Sequence, residues 1–535
     1  MFEQSYFKPF LYFVGSVIII EVWAAFYFPF LLNFLIIFIP IIFLGFYDAY
    51  QSHSAILRNY PVIGHLRFLM EELRPEIQQY FIESDTEGKP YNRQERSIVY
   101  QRSKGVSDTI AFGSLRDVYQ VGYEWVNHSL HPAHVDPKNL TIIIGGPNCK
   151  KPYECSIYYI SGMSYGALSS AAVRAMNGGA KIGKFIQSTG EGGLSPYHLE
   201  QGGDLIWQVG TGYFGCRTPD GGFDAEMFQS KAVHPNVKMI ELKLSQGAKP
   251  GHGGILPAAK VTPEISEIRT VPMGEDINSP PAHREFNTPI GMLEFVQKLR
   301  DLSGGKPVGL KLCIGKRREF LSICKAIVKT QIYPDFIVVD GGEGGSGATP
   351  LEFATHVGCP AKEALIFVHN ALVGFGIRDK IKISANGKVS TGFNIIHSIA
   401  LGADFCGAAR AFMFSVGCIQ ALKCNKNVCP VGVTTHDPDL MRGLVVKTKK
   451  VRVAEYHKNT LKSVAEMLGA MGLSHSSELR QWHILRRTSP TDIKHYGEIY
   501  HYLKPGELLQ EPYPKDYARA VLASSADTFD HVNVD

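Results

Sequence analysis

Cys418-x5-Cys424-x4-Cys429-Pro430 is the densest group of metal-binding side chains in the sequence. Thiolates in close series bind soft metals. Zinc sites favour spacings of two to four and a fourth ligand, often a histidine, which His436 could supply. Here the spacings are five and four, and no fourth cysteine is near. Three thiolates and a following proline suit an iron–sulfur cluster that lacks one corner iron.

The other residues able to do chemistry fall at the ends of short apolar stretches. Glu191, Lys243, Gln246, Lys249, Lys311, Glu343 and Arg410 all stand in or just after such stretches. The strands this predicts are Ile157–Ser161, Lys184–Gln187, Leu205–Val209, Met239–Leu244, Val308–Leu312, Phe336–Val339, Ile381–Ser384 and Asp404–Gly407. Helical stretches follow several of them, so the expected fold is α/β, a (β/α)8 TIM barrel with its functional groups at the carboxyl ends of the strands. A doubly wound sheet is the alternative, but no glycine-rich dinucleotide fingerprint follows the first strand. The Glu343-to-Ala348 loop is rich in glycine, so its backbone can approach a planar ring or a phosphate closely. Barrels often bind phosphate with the loops after strands 7 and 8, here Asn386-Gly387-Lys388 and Gly407-Ala408-Ala409-Arg410, and Arg410 suits a bidentate phosphate contact. Lys311, inside Val-Gly-Leu-Lys-Leu, needs a partner in the barrel.

The chain has 535 residues, 45% hydrophobic and 20% charged, enough for a large core and too ordered in composition for global disorder. A net charge of +5 with no Lys/Arg stripe argues against nucleic acid as a partner. Ten cysteines in a chain this long do not make a secreted disulfide scaffold. From Pro9 to Tyr47 the sequence is almost wholly apolar, with Glu21 its one charge. As a single helix it would span roughly 58 Å, about twice a bilayer core. Pro29 and Asn33 offer a turn, which predicts a transmembrane hairpin of helices at 10–28 and 30–47. Glu21 either faces the partner helix or the headgroups, or is a functional intramembrane acid. The expected organisation is a membrane anchor at 1–50, a helical and loop segment at 51–150, the barrel at 151–450 with a cysteine loop at 418–429, and a helix (Val453–Met471) with an irregular tail at 451–535. Reduced thiols place the catalytic part in the cytosol, anchored to the inner or cytoplasmic membrane.

Several long motifs occur in one order. They are Ile160-Ser-Gly-Met163-Ser164-Tyr-Gly-Ala-Leu168, Thr189-Gly-Glu191-Gly-Gly193, Gln246-Gly-Ala-Lys249-Pro-Gly251, Lys260-Val-Thr-Pro-Glu-Ile265, Glu343-Gly344-Gly345-Ser-Gly-Ala-Thr-Pro350, and Gly417-Cys418 through Gly432. With these the chain resembles the FMN-binding synthase domain of glutamate synthases, and the stand-alone, often membrane-anchored proteins of that family. The resemblance runs from about Pro90 to about Thr460. It implies FMN, bound by Met163, Ser164, Gln208, Lys311, Glu343, Gly344, Gly345, Gly387, Gly407 and Arg410. It also implies a [3Fe-4S] cluster on Cys418, Cys424 and Cys429. The family's 2-oxoglutarate site carries over onto Lys243, Gln246, Lys249 and Arg269, with Glu191 near the reacting carbon; Glu191 and Lys249 are the catalytic candidates.

The departures from the family are local. His252 and Ile255 replace a glutamate and a glutamine, and the Asn386–Gly392 loop looks one residue longer. Complete glutamate synthases open with a catalytic cysteine on a glutaminase domain; this sequence opens Met1-Phe2 and carries no NAD(P)H module. Ammonia, free or from a separate glutaminase, and electrons from a carrier (ferredoxin, a reductase or quinone) are therefore expected from outside. The implied activity is reductive amination of 2-oxoglutarate, through 2-iminoglutarate, to L-glutamate. The alternatives are an FMN-dependent amino-acid or 2-oxo/hydroxy-acid dehydrogenase linked to membrane quinone, and a non-catalytic membrane-tethered electron-transfer flavoprotein.

Overall fold

Eight short parallel strands close into a barrel in the computed structural model, which describes residues 7–532. In chain order they are β1 (Tyr158–Ile160), β2 (Gln187–Ser188), β3 (Leu205–Val209), β4 (Val237–Lys243), β5 (Val308–Leu312), β6 (Phe336–Asp340), β7 (Lys382–Asn386) and β8 (Phe405–Ala408). Each pairs with the next, and β8 returns to β1. The strands are buried on both faces, which is why they read as short continuous apolar runs rather than alternating ones. All eight predicted strands are present; Leu205–Val209 and Val308–Leu312 keep their predicted ends, and the other six are shifted. Lys184 is the clearest shift: at φ 53° it caps the helix Ser170–Gly183 in the left-handed region, leaving only Gln187–Ser188 as strand.

The chain divides into two compact units, residues 1–90 and 91–535. Residues 1–6 of the expected anchor and 533–535 of the expected tail lie outside the described residues. The first unit contains α1 (Phe7–Tyr27), a 3-10 turn at Pro29–Phe34, and α2 (Leu35–Tyr50). Pro29 and Asn33 thus both lie inside the turn, and the helices are displaced outward from the predicted 10–28 and 30–47. Phe7, Phe10 and Val14 of α1 pack against Ile42, Phe46 and Ala49 of α2. Two segments, Phe7–Tyr27 and Pro29–Tyr50, are long and apolar enough to cross a membrane by length and composition. Glu21 is buried, and its Oε2 has no hydrogen-bond partner among the described residues. After a short helix at Ala55–Asn59 comes a longer one, α3 (Gly64–Ile77).

In the second unit, a buried ion pair closes the amino end of the barrel. Arg300 Nη2 lies 3.0 Å from Asp335 Oδ2, and Asp335 also accepts the backbone N–H of Gly146 and Val308. At the other end, short helices and loops carry the functional residues: α4 (Pro263–Arg269) after β4, and α5 (Ala361–Gly374) after β6. The long helix α6 spans Val446–Ala470, a start seven residues before the predicted Val453, and the tail after it holds two short strands, Ile484–Arg487 and Ile493–His495, and two short helices, Tyr496–Ile499 and Lys515–Leu522. The first turns of α6 are rich in lysine and show no apolar period; burial begins at Val453.

Candidate active site

The loops after β2 and β4 meet over the barrel mouth. Glu191 Oε1 lies 2.8 Å from Lys243 Nζ, with side chains 16% and 8% exposed. Lys243 also donates to Gln246 Oε1 at 2.5 Å, and its carbonyl accepts from His283 Nε2 at 2.9 Å. Lys249 donates to the carbonyl of Ala348 at 2.6 Å, drawing the Glu343–Pro350 loop toward the same place. Glu191, Lys243, Gln246 and Lys249 line one small pocket, with Thr211 and Gly254 beside them. Burial pushes the Glu191 carboxyl up, but Lys243, and then Arg269 and Lys249, hold it below the usual range. Burial pushes Lys249 down to about 8 and Arg269 down to about 10. Three cations around one carboxylate leave a net positive site suited to a dianion.

Arg269, the last residue of α4, stands behind this pocket rather than in its wall. Its Nη2 donates to Tyr165 O at 2.9 Å and Ser164 Oγ at 3.3 Å, and its guanidinium lies 5.1 Å from the Phe214 ring. A Cβ at Gly192 would come within 2.8 Å of that Nη2, so the glycine is what lets the arginine in. Gly190, at φ 69°, performs a similar service: a Cβ there would sit 2.4 Å from the Ser164 nitrogen, so the loops after β1 and β2 touch backbone to backbone.

Deeper in the mouth, β3 and β4 align Gln208 with Glu241, and the Gln208 amide donates to the Glu241 carboxylate. Burial raises the Glu241 carboxyl, with Lys311, Gln208 and Lys243 opposing. Lys311 Nζ stands 3.9 Å from Asp340 Oδ2, which also accepts the Gly247 N–H at 3.0 Å. The Gln187 side chain and the Ser188 hydroxyl, on β2, are buried with no hydrogen-bond partner among the described residues. A Cβ on Gly162 would come within 3.1 Å of that hydroxyl and 2.8 Å of Gln208 Nε2. Unpaired donors and acceptors beside a Cβ-free backbone fit the polar edge of a flat heteroaromatic ring.

The remaining predicted cofactor residues form a second group. The Glu343 carboxylate accepts the Ala361 N–H at 3.0 Å, at the start of α5. Arg410 donates to the Glu343 carbonyl at 3.0 Å and lies over the Tyr91 ring at 5.1 Å. Gly345 packs where a Cβ would meet Arg410 Nε at 2.8 Å. Gly407 donates its N–H to Asn386 Oδ1 at 3.1 Å, which joins the ends of β7 and β8 next to Gly387. Met163 follows Gly162 in the loop after β1.

Cys418, Cys424 and Cys429 lie within electrostatic reach of one another. Burial pushes the Cys418 thiol up to about 12 and raises Cys424 as well. Burial acts on Cys429 too, but hydrogen bonds from the Thr434 side chain and from backbone groups at Thr434, Val431 and Val433 outweigh it and lower that thiol. A site so supplied with donors favours a thiolate. Lys260, 1% exposed, donates to Cys424 O at 3.2 Å and Ala167 O at 2.8 Å, tying this loop to the one after β1. Among the described residues no three His, Cys, Asp or Glu side chains are arranged to hold a single metal ion. His436, the candidate fourth ligand for zinc, has its Nε2 on the Gly166 carbonyl at 2.8 Å.

The family model for the conserved region in glutamate synthase matches residues 130–474, well over half the chain. The chain belongs to the glutamate synthase family. The glutamate synthase large subunit-like protein YerD of Bacillus subtilis is 38% identical over 495 residues, covering 85% of this chain and 94% of that protein. An archaeal glutamate synthase [NADPH] of Methanocaldococcus jannaschii is 32% identical, covering 68% and 67%. The Bacillus subtilis glutamate synthase [NADPH] large chain is 28% identical; the match covers 60% of this chain but 21% of that one.

In this member of the family, several buried polar residues have no role assigned from the sequence: Gln187 and Ser188 on β2, and Glu241, Asp340, Lys260 and His283. Glu241 and Asp340 end or nearly end their strands inside apolar runs, where a lone carboxylate is itself a signal. Lys260 opens a motif without an evident task. His283 stands in a loop, and burial pushes its ring down to about 4, so it stays neutral and takes its proton orientation from Tyr213 and Lys243.

Proposed function

We propose that the chain is a flavin-dependent oxidoreductase of the glutamate synthase type that converts 2-oxoglutarate and ammonia to L-glutamate. The observation that carries this reading is the pocket at the end of β4, where Lys243 and Lys249, backed by Arg269, surround Glu191. A dicarboxylate held away from water needs that surplus of positive charge. Lys249 and Lys243 bind its carboxylates, with Gln246 fixing its orientation. Ammonia and the 2-oxo group condense to 2-iminoglutarate with loss of water, and a hydride and a proton complete the amino acid. Glu191, kept ionised by Lys243, handles the proton of the condensation. Gln187, Ser188, Gln208 and Lys311 are the groups to hold FMN, with the Gly344–Gly345, Gly387 and Gly407 backbones close by. Bound FMN supplies the hydride chemistry. Cys418, Cys424 and Cys429 would hold a [3Fe-4S] cluster as the entry point for electrons from a carrier.

A screen tests this reading directly. Under anaerobic conditions, 2-oxoglutarate with ammonia is expected to reoxidise the reduced flavin, whereas monocarboxylic oxo acids do so poorly. Failure of every oxo acid, with ready reduction of the flavin by an amino acid or hydroxy acid, would shift the assignment to a dehydrogenase delivering electrons to the membrane. The two apolar N-terminal helices favour that second direction as much as the first.

The pH dependence of binding has a definite sign. Because burial holds Lys249 at about 8 in the free site, its charge is present below that value and lost as pH rises through it. The Kd for 2-oxoglutarate is expected to be flat below pH 8 and to rise tenfold per unit above it. Lys249→Arg should move that limb to higher pH; titration calorimetry across pH 6–10 reads both.

The same reading makes the hairpin a membrane anchor. Full-length protein is expected to need detergent for extraction, while a chain beginning at Tyr91, the start of the second compact unit, should be soluble and retain flavin. Full-length protein recovered in the soluble fraction would overturn the anchor.

A further inference from the structure

Helix α3 carries an apolar stripe. Leu66, Leu69, Met70, Leu73 and Ile77 recur at three- and four-residue spacing, which sets them on one helix face. Each is between 38% and 56% exposed, and Phe81 just beyond is 84% exposed. The rest of the helix carries Arg67, Glu71, Glu72, Arg74 and Glu76, with Arg67 and Glu71 paired at 3.0 Å, and one half-exposed aromatic, Phe68, on the opposite face. Single exposed apolar residues are ordinary; a contiguous row marks a contact surface.

The end of α2 determines where this stripe begins. Asp48 is fully buried two residues before α2 stops. Its carboxylate accepts the Val62 N–H at 2.9 Å and pairs with His65 Nε2, in the first turn of α3, at 2.9 Å. The Val62 side chain packs with Phe46 and Ala49 against Phe7, Phe10 and Val14. The first turn of α3 is thereby pinned to the end of the hairpin where both its outer ends lie, and the apolar surface runs on from hairpin to stripe. At 1.5 Å per residue, α1 spans about 31 Å, roughly the hydrocarbon thickness of a bilayer. The pinned end would then fall where acyl chains give way to headgroups, and Tyr47 and Tyr50, both exposed, stand at that level as interfacial aromatics do.

We propose that α3 lies in the membrane interface, with its Leu66-to-Ile77 stripe sunk into the acyl boundary of a phospholipid bilayer. The inference rests on reading α1 and α2 as membrane spans. The occupant is lipid rather than a partner protein because the stripe starts at the end of a span and continues its apolar surface.

The test uses the full-length protein reconstituted in phosphatidylcholine–phosphatidylglycerol vesicles. An apolar carbene-forming photoreagent dissolved in the bilayer is activated, and the labelled peptides are mapped by mass spectrometry. Label is expected within residues 7–50 and again at Leu66, Leu69 and Leu73. Leu69→Glu combined with Leu73→Glu is expected to lose most label from residues 64–82 and to keep that of 7–50. Label in 7–50 alone overturns the interfacial helix, including the case where a second copy covers it. Label in neither segment overturns the spans and the inference together.

Discussion

Cys424→Ser protein, purified anaerobically, is expected to lose its iron, about three atoms per chain in the parent, while the barrel and its flavin are retained. Cys424 sits in a loop after β8 and contributes no strand residue to the barrel, so the eight strands have no direct stake in it. Donors at Thr434, Val431 and Val433 hold Cys429 toward the thiolate, while burial raises Cys418 and Cys424, and Lys260 ties the loop down through the Cys424 carbonyl. A serine hydroxyl, far less acidic than a thiol and a poorer partner for soft iron, does not replace the Cys424 sulfur. The measurements are iron by elemental analysis, flavin by absorbance, and fold by circular dichroism. Iron retained at the parental level, or zinc found in the parent instead, would remove the cluster from the assignment.

Lys243→Met is expected to cost about 3–5 kcal/mol in kcat/KM for 2-oxoglutarate, a few hundredfold to a few thousandfold. The effect has two parts. The substrate loses a charge-assisted contact, worth about 1.5–3 kcal/mol. The rest comes from Glu191, which Lys243 contacts at 2.8 Å. Without that ammonium, burial dominates and the Glu191 carboxyl rises, so it protonates in the pH range where it should be ionised. The acid limb of the rate profile is therefore expected to move upward in pH. A double-mutant cycle separates the two parts. In a Glu191→Gln background the same lysine substitution should cost only the contact. An equal cost in both backgrounds would show that Lys243 and Glu191 do not act as a pair.

The strands show why so much of the fold can be read from the chain. A parallel barrel strand is covered on both faces, so Phe336–Asp340 or Val308–Leu312 must be apolar nearly throughout, and an exception such as Lys311 stands out. Strand ends were less legible. Gln187–Ser188 holds the barrel with two residues, and no local pattern separates them from the helix cap at Lys184. The hairpin turn illustrates the same limit: proline at position 29 marks a break, but a 3-10 turn through Phe34 depends on how the two helices pack. The position of Arg269 is a further case: the glycines at 166 and 192, far from it in sequence, admit its guanidinium against the loop after β1.

Residue types alone determined the barrel, the three clustered thiols and the two apolar N-terminal segments, because each depends on local pattern; the cations expected near Glu191 came from motifs that resemble those of the glutamate synthase family. Tertiary structure alone decided which distant groups meet. Glu241 reaches Gln208 because two neighbouring strands are in register; Asp340 reaches both Lys311 and Gly247; Lys260 bridges Ala167 and Cys424. Those contacts join residues tens to hundreds of positions apart. The physical reason they escape sequence reading is that a buried charge reveals its need for a partner, but only the closed barrel determines which partner stands within a few ångströms.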